Sequence, residues 1–130
     1  MTRQILIIDD EPDIRDVISL SLEEFGSWQT TAAASGQEGL ALAPHHPWDA
    51  IILDVSMPDL DGVTVVERLQ ANPATAHIPI VLLTARVLPS DQVRFAQLGV
   101  AGVIPKPFDP LRVWQQLATI LGWPVASMES

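Results

Sequence analysis

No cysteine occurs in the 130 residues, so disulfides, thiolate metal sites and thiolate nucleophiles are excluded. Basic residues are scarce. Lys and Arg number 7 against 16 Asp and Glu, for a formal net charge of -9. Nucleic-acid backbones demand clustered cations, so direct nucleic-acid binding is not expected. No apolar run approaches the roughly 20 residues that span a bilayer, so no membrane partner is expected. The opening Met1-Thr2-Arg3-Gln4 lacks the basic segment and apolar core of a secretory signal, which makes a cytoplasmic location the default expectation. With only three scattered histidines, a transition-metal site fits poorly, and any metal is expected to be a hard cation on oxygen ligands. Internal repeats and low-complexity segments are also absent.

Apolar material is plentiful, at 48% of residues, enough for one domain with a real core. It falls in short continuous runs: Ile5-Leu6-Ile7-Ile8, Ala50-Ile51-Ile52-Leu53, Ile80-Val81-Leu82-Leu83 and Gly102-Val103-Ile104. Runs without polar alternation read as strands buried on both faces. A weaker segment, Trp28 to Ala33, suits an edge strand. Between these lie stretches with helical spacing. The first opens after Pro12 with Ile14, Val17, Ile18, Leu22 and Phe25, and Gly26 is its expected C-cap. Ser35-Gly36-Gln37-Glu38 has capping-box spacing for a short helix that Pro44 stops. Val63, Val66 and Leu69 mark a third helix, and Pro89 to Leu98 a fourth that Gly99 closes. Asp109-Pro110 reads as N-cap and N1 for a fifth, with Leu111, Trp114, Leu117 and Leu121 on one face and Gly122 as the stop. Alternation of five strands with five helices indicates an α/β doubly wound parallel sheet over residues 1–122, followed by a tail, 123–130.

Polar residues stand where the apolar strands end. Asp9-Asp10-Glu11 follow the first strand, Asp54 the third, Thr84 the fourth and Lys106 the fifth. Ligands of open parallel sheets bind outside the carboxyl ends of the strands, so Asp9, Asp10, Asp54, Thr84 and Lys106 are expected to share one site. Carboxylates brought together repel unless one is protonated or a cation lies between them, and Mg²⁺ on an all-oxygen shell answers that need. Asp10 and Asp54 are the expected direct ligands, Asp9 acts through water, and the Ser56 backbone carbonyl fills another position. A carboxylate is also a nucleophile toward phosphorus, and phosphoryl transfer mainly requires that the three phosphoryl oxygens be neutralised and oriented. Mg²⁺, the Lys106 ammonium and the Thr84 hydroxyl supply one partner each. Asp59, Asp61 and Asp109 read as turn formers, and Trp48 and Trp123 as candidate surface contacts.

Ile8-Asp9-Asp10-Glu11, the stretch Asp54-Val55-Ser56-Met57-Pro58-Asp59-Leu60-Asp61-Gly62, Leu83-Thr84-Ala85 and Lys106-Pro107-Phe108 together resemble the motifs of response-regulator receiver domains of two-component signalling, over about residues 3–121. The resemblance implies a chemotaxis-receiver-like, flavodoxin-like fold with five helices and strand order 2-1-3-4-5. It implies that Asp54 is the phosphoacceptor for a histidine kinase or histidine phosphotransfer protein in a Mg²⁺-dependent phosphorelay, with Asp9 and Asp10 holding the metal. Such a domain is a phosphoprotein switch that assists its own aspartyl phosphorylation and dephosphorylation rather than a conventional enzyme. Thr84 and Lys106 then respond to the phosphate, Lys106-Pro107 is a cis peptide, and the face of the fourth helix, fifth strand and fifth helix signals to a downstream protein target. A homodimer through that face is an open expectation, as is a single-domain protein with no output domain on this chain.

One position departs from the pattern. Three residues before Lys106 the family usually has Tyr or Phe, and here Val103 stands there, so an aromatic rotamer switch is unavailable. Ser56 and Arg86 occupy positions that tune phosphoryl lifetime in the family. The alternative is a degenerate receiver acting as a phosphorylation-independent interaction module, which Val103 favours and the acidic set opposes. A hydrolase of the haloacid dehalogenase type wants an Asp two residues after its nucleophile, where this chain has Ser56.

Overall fold

The computed structural model describes residues 2–124. Five strands, β1 (Gln4–Ile8), β2 (Gln29–Ala33), β3 (Ala50–Asp54), β4 (Ile80–Thr84) and β5 (Gly102–Pro105), form one parallel sheet in the order β2-β1-β3-β4-β5. Every residue of β3 and β4 is buried, as uninterrupted aliphatic runs require. The strand period of two divides these side chains between two cores. Ile5, Ile7, Ile52, Val81, Leu83 and Ile104 face α1 (Pro12–Glu24) and α5 (Val113–Leu121). Leu6, Ile8, Ile51, Leu53, Ile80 and Leu82 face α2 (Gly36–Leu42), α3 (Gly62–Ala71) and α4 (Pro89–Gln97). Each fully buried Leu or Ile contributes about 1.5–3 kcal/mol relative to an exposed one, so this double burial dominates the stability of the sheet.

β2 lies at an edge and is mostly exposed, which accounts for its Thr and Ala content. β5 lies at the other edge, where Pro105 removes a ladder donor without leaving a partner strand unsatisfied. Among the described residues, no helix is long and apolar enough to cross a membrane.

Several local expectations change. Gly26 is not the left-handed residue after α1: Phe25 is the C-cap, and Ser27 takes the positive φ, at 59°. Gly26 is required there because a Cβ would stand 2.8 Å from the Trp28 ring and from the Leu22 carbonyl. The fifth helix begins at Val113, not at Pro110. Asp109 instead accepts from the Leu111 amide at 2.9 Å, closing a turn ahead of the helix that leaves Leu111 66% exposed. Trp48 is a core residue, 8% exposed, with Nε1 donating to the Leu42 carbonyl. Trp123, assigned to the tail by its sequence, stacks edge-on against Trp28 at 5.1 Å. The remainder of that tail, from residue 125, lies outside the described residues.

Candidate functional site

The chain leaves β1 for β2 on one side and later crosses to β3 on the other. At such a reversal the two connections diverge and a crevice opens above the strand ends. Asp9, Asp10 and Glu11 follow β1 directly and Asp54 closes β3, so both acidic segments meet at this crevice. One carboxylate oxygen from each of Asp9, Asp10, Glu11 and Asp54 lies within 4.8 Å of the others.

The burial of these groups is uneven. Asp9 is 1% and Asp54 2% exposed, Asp10 is half-buried and Glu11 is exposed. Asp9 Oδ1 accepts from the Glu11 amide at 2.9 Å. Asp54 Oδ1 accepts from the Ser56 amide at 3.2 Å and from Lys106 Nζ at 3.3 Å. The second oxygens, Asp9 Oδ2 and Asp54 Oδ2, are buried and accept no hydrogen bond. Lys106 Nζ also lies 3.7 Å from Asp9 Oδ2 and 3.6 Å from Glu11. A single ammonium thus faces an excess of carboxylates.

The electrostatic consequence is visible in the proton affinities. Burial, with the neighbouring Asp54 charge adding to it, pushes the Asp9 carboxyl up to about 6 against the pull of the Glu11 amide and Lys106. Asp54 is raised as well, chiefly by burial, with its Ser56 and Lys106 partners opposing. Burial alone would lower Lys106, but the charges of Asp9 and Asp54 outweigh it and raise it above the ordinary lysine value. Two buried carboxylates with elevated proton affinity, each with an oxygen that accepts no hydrogen bond, are a pair of ligands short of positive charge. A hard divalent cation on oxygen donors fits this set, whereas no sulfur or imidazole ligand is present in it.

The other expected residues surround this centre. Ser56 lines an open cleft of about 560 Å³ with Asp10, Met57, Asp61 and Arg86. Thr84 ends β4, next to β3, with Asp54 in register with Leu83. It is 2% exposed, and its hydroxyl accepts from the Arg86 amide at 2.9 Å. The Lys106 amide donates to the Thr84 carbonyl at 2.8 Å, and the Lys106-Pro107 bond is cis. Glu11 is a member of the carboxylate set that the reading of the sequence did not assign, although its position after Asp10 was a sufficient signal. Asp59 is more than a turn former, because its carboxylate accepts from the Gly36 and Gln37 amides at 3.1 and 2.9 Å. Val103 is half-buried and packed against the core on the α3 side.

Residues 5–118 match the response regulator receiver domain family. The chain belongs to that family. Among curated relatives, the DNA-binding dual master transcriptional regulator RpaA of Synechocystis is 41% identical over 106 residues, 82% of this chain and 44% of that protein. The response regulator PleD of Caulobacter vibrioides is 32% identical over 121 residues, 92% of this chain and 26% of that protein. The receiver thus spans less than half the length of these relatives. Among solved structures, the chemotaxis protein CheY4 of Vibrio cholerae superposes with a TM-score of 0.85 at 29% identity, covering 92% of this chain and 99% of that one. The receiver domain of a sensor histidine kinase from Pseudomonas aeruginosa, described with a magnesium ion coordinated in its active-site cleft, gives a TM-score of 0.81 at 29% identity over 94% and 99% of the two chains. These neighbours share the flavodoxin-like arrangement of this receiver.

Proposed function

We propose that this receiver is a Mg²⁺-dependent phosphoacceptor switch in which Asp54 takes a phosphoryl group from a histidine kinase or histidine phosphotransfer protein. The observation that carries the reading is the pair of buried oxygens on Asp9 and Asp54 that accept no hydrogen bond, beside a single lysine. A buried carboxylate oxygen that accepts no hydrogen bond is costly, and the arrangement is explained if the missing positive charge arrives with the metal. Asp9, Asp10, Asp54 and the Ser56 carbonyl are the groups that would hold Mg²⁺, and Glu11 stands close enough to join them. Bound Mg²⁺ supplies positive charge to a phosphoryl oxygen and favours the ionised state of the carboxylates.

In the transfer, an Asp54 carboxylate oxygen forms a bond to phosphorus while the bond from phosphorus to the donor nitrogen breaks, and the leaving imidazole keeps that electron pair. Lys106, already 3.3 Å from Asp54, is placed to neutralise one phosphoryl oxygen. The Thr84 hydroxyl must leave the Arg86 amide or donate its own hydrogen to reach another. That exchange connects the phosphate to the loop from Thr84 to Pro89 and so to α4. With Val103 in place of an aromatic side chain, this loop is the route by which the face of α4, β5 and α5 changes for a downstream protein. A cytoplasmic location accords with a kinase donor of this kind.

The test is intact mass after incubation with acetyl phosphate and Mg²⁺. A single phosphoryl adduct is expected on the native chain, and none on Asp54→Asn or in excess EDTA. An adduct that survives either control would overturn the reading. No adduct under rapid quenching would favour a phosphorylation-independent interaction module, the alternative that Val103 suggests.

A further inference from the structure

The loop between β3 and α3, residues 55–61, carries Ser56 and forms one wall of the cleft. Its two ends are closed on each other: the Gly62 amide donates to the Val55 carbonyl at 2.8 Å, and a Cβ on Gly62 would stand 2.6 Å from Val55 Cα. Asp61 caps α3 by accepting from the Val63 amide. Between these ends, Met57 is buried and Leu60 packs against the same core, while Pro58 and Asp59 project outward at the apex. The exposed apex is tied to α2. The Asp59 carboxylate takes the Gly36 and Gln37 amides with its two oxygens, and a Cβ on Gly36 would stand 3.0 Å from Leu60 Cβ. Those amides are first-turn donors that α2 itself leaves unpaired, while its N-cap Ser35 accepts from Glu38. The two bonds, the Gln37 one foremost, hold the Asp59 carboxyl below the ordinary aspartate range.

We infer that Asp59 is a positioning residue which, by bracing the β3–α3 loop against the start of α2, sets the place of the Ser56 carbonyl and thereby the affinity of the acidic cleft for Mg²⁺. The inference rests on the reading of the cleft as a Mg²⁺ site. A group that orients a metal ligand acts on affinity without touching the metal, because misplacing an oxygen weakens the ion's octahedral shell. An exposed aspartate at this position is not needed for solubility in a chain of net charge -9, and it adds negative charge beside a cleft already rich in it. The α2 amides compensate that charge in this position.

The experiment is calorimetric titration of Mg²⁺ into the native chain, Asp59→Asn and Ser35→Ala, with a urea midpoint for each. Asparagine keeps the size but offers one acceptor instead of two. Asp59→Asn is expected to bind Mg²⁺ roughly three- to tenfold more weakly, below the loss seen on removing a direct partner of a ligand. Phosphorylation by acetyl phosphate should return to the native rate at saturating Mg²⁺, and exchange of the Gly36 and Gln37 amides should quicken. Ser35→Ala removes the bond to the Glu38 amide but leaves the Gly36 and Gln37 amides on Asp59, so its Mg²⁺ affinity should stay native even where its midpoint falls. Native affinity in Asp59→Asn, or an equal loss in Ser35→Ala, would overturn the inference while leaving the Mg²⁺ reading intact. No binding by the native chain would overturn both.

Discussion

The two ends of the sheet treat polar groups in opposite ways. At the amino ends of the strands, polar groups find partners within the fold: Asp49 accepts from the Gln4 amide at 2.7 Å, the Gln29 amide donates to the Arg3 carbonyl, and the Arg3 guanidinium lies 4.1 Å over the Trp123 ring. Trp28 joins that ring on one side and Trp114 on the other. At the carboxyl ends, two aspartates are buried, each with an oxygen that accepts no hydrogen bond, and one lysine is shared among three acids. At the first end these polar groups have partners within the fold. The second keeps electrostatic frustration in place, and a fold retains such a defect where a ligand relieves it.

The contrast breaks most sharply if the lysine is removed. Lys106→Met leaves Asp9 and Asp54 buried without their cation, and should cost about 2 kcal/mol of stability in EDTA, measured by urea unfolding at neutral pH. Added Mg²⁺ should recover much of this loss. A variant as stable as the native chain in EDTA would show that the lysine does not compensate the carboxylates.

A smaller effect follows from proton linkage. Asp9 is raised in the folded state to about 6 from an ordinary 3.8, so between those values the folded protein holds more protons than the unfolded one. Stability in EDTA should therefore fall as pH rises through about 4 to 6, with the penalty absent below that window and complete above it. The share owed to Asp9, read as the difference between native and Asp9→Asn, should be of order 1–3 kcal/mol. Saturating Mg²⁺ favours the ionised carboxylates and should flatten this dependence. A stability share that rises with pH in EDTA would contradict the burial argument.

The opposite end supplies the control and the smallest effect. Trp123→Ala removes the edge contact with Trp28 and the cation–π contact with Arg3, worth about 1 kcal/mol together at a partly exposed site. Mg²⁺ affinity should be unchanged within error. A loss of affinity would mean that the two ends are coupled and that the contrast drawn between them is wrong.

Much of this arrangement was legible in the sequence, for a physical reason. A strand buried on both faces cannot hide its pattern, and an acid placed where such a strand stops has nowhere to go except the sheet edge. Asp9, Asp10 and Asp54 are therefore readable one by one, and the crevice that joins them follows from the crossover order. Features set by distant neighbours were not readable. Trp48 is buried because the loop before β3 folds its indole against Leu42, and Asp59 reaches α2 across more than twenty residues of chain. Ser27, not Gly26, takes the left-handed conformation, and Gly26 is needed instead because the Trp28 ring leaves no room for a Cβ. Asp109 satisfies a local turn first, so α5 starts later than its Asp-Pro pair suggests.

The most direct test of Asp54 as phosphoacceptor is to treat the acetyl phosphate-modified chain with borohydride, which reduces an acyl phosphate to the alcohol, and to locate the reduced residue by peptide mapping. The account predicts a single conversion of aspartate to homoserine, at position 54 and only when Mg²⁺ is present. Conversion at Asp9, Asp10 or Glu11 instead, or at position 54 without Mg²⁺, would contradict it.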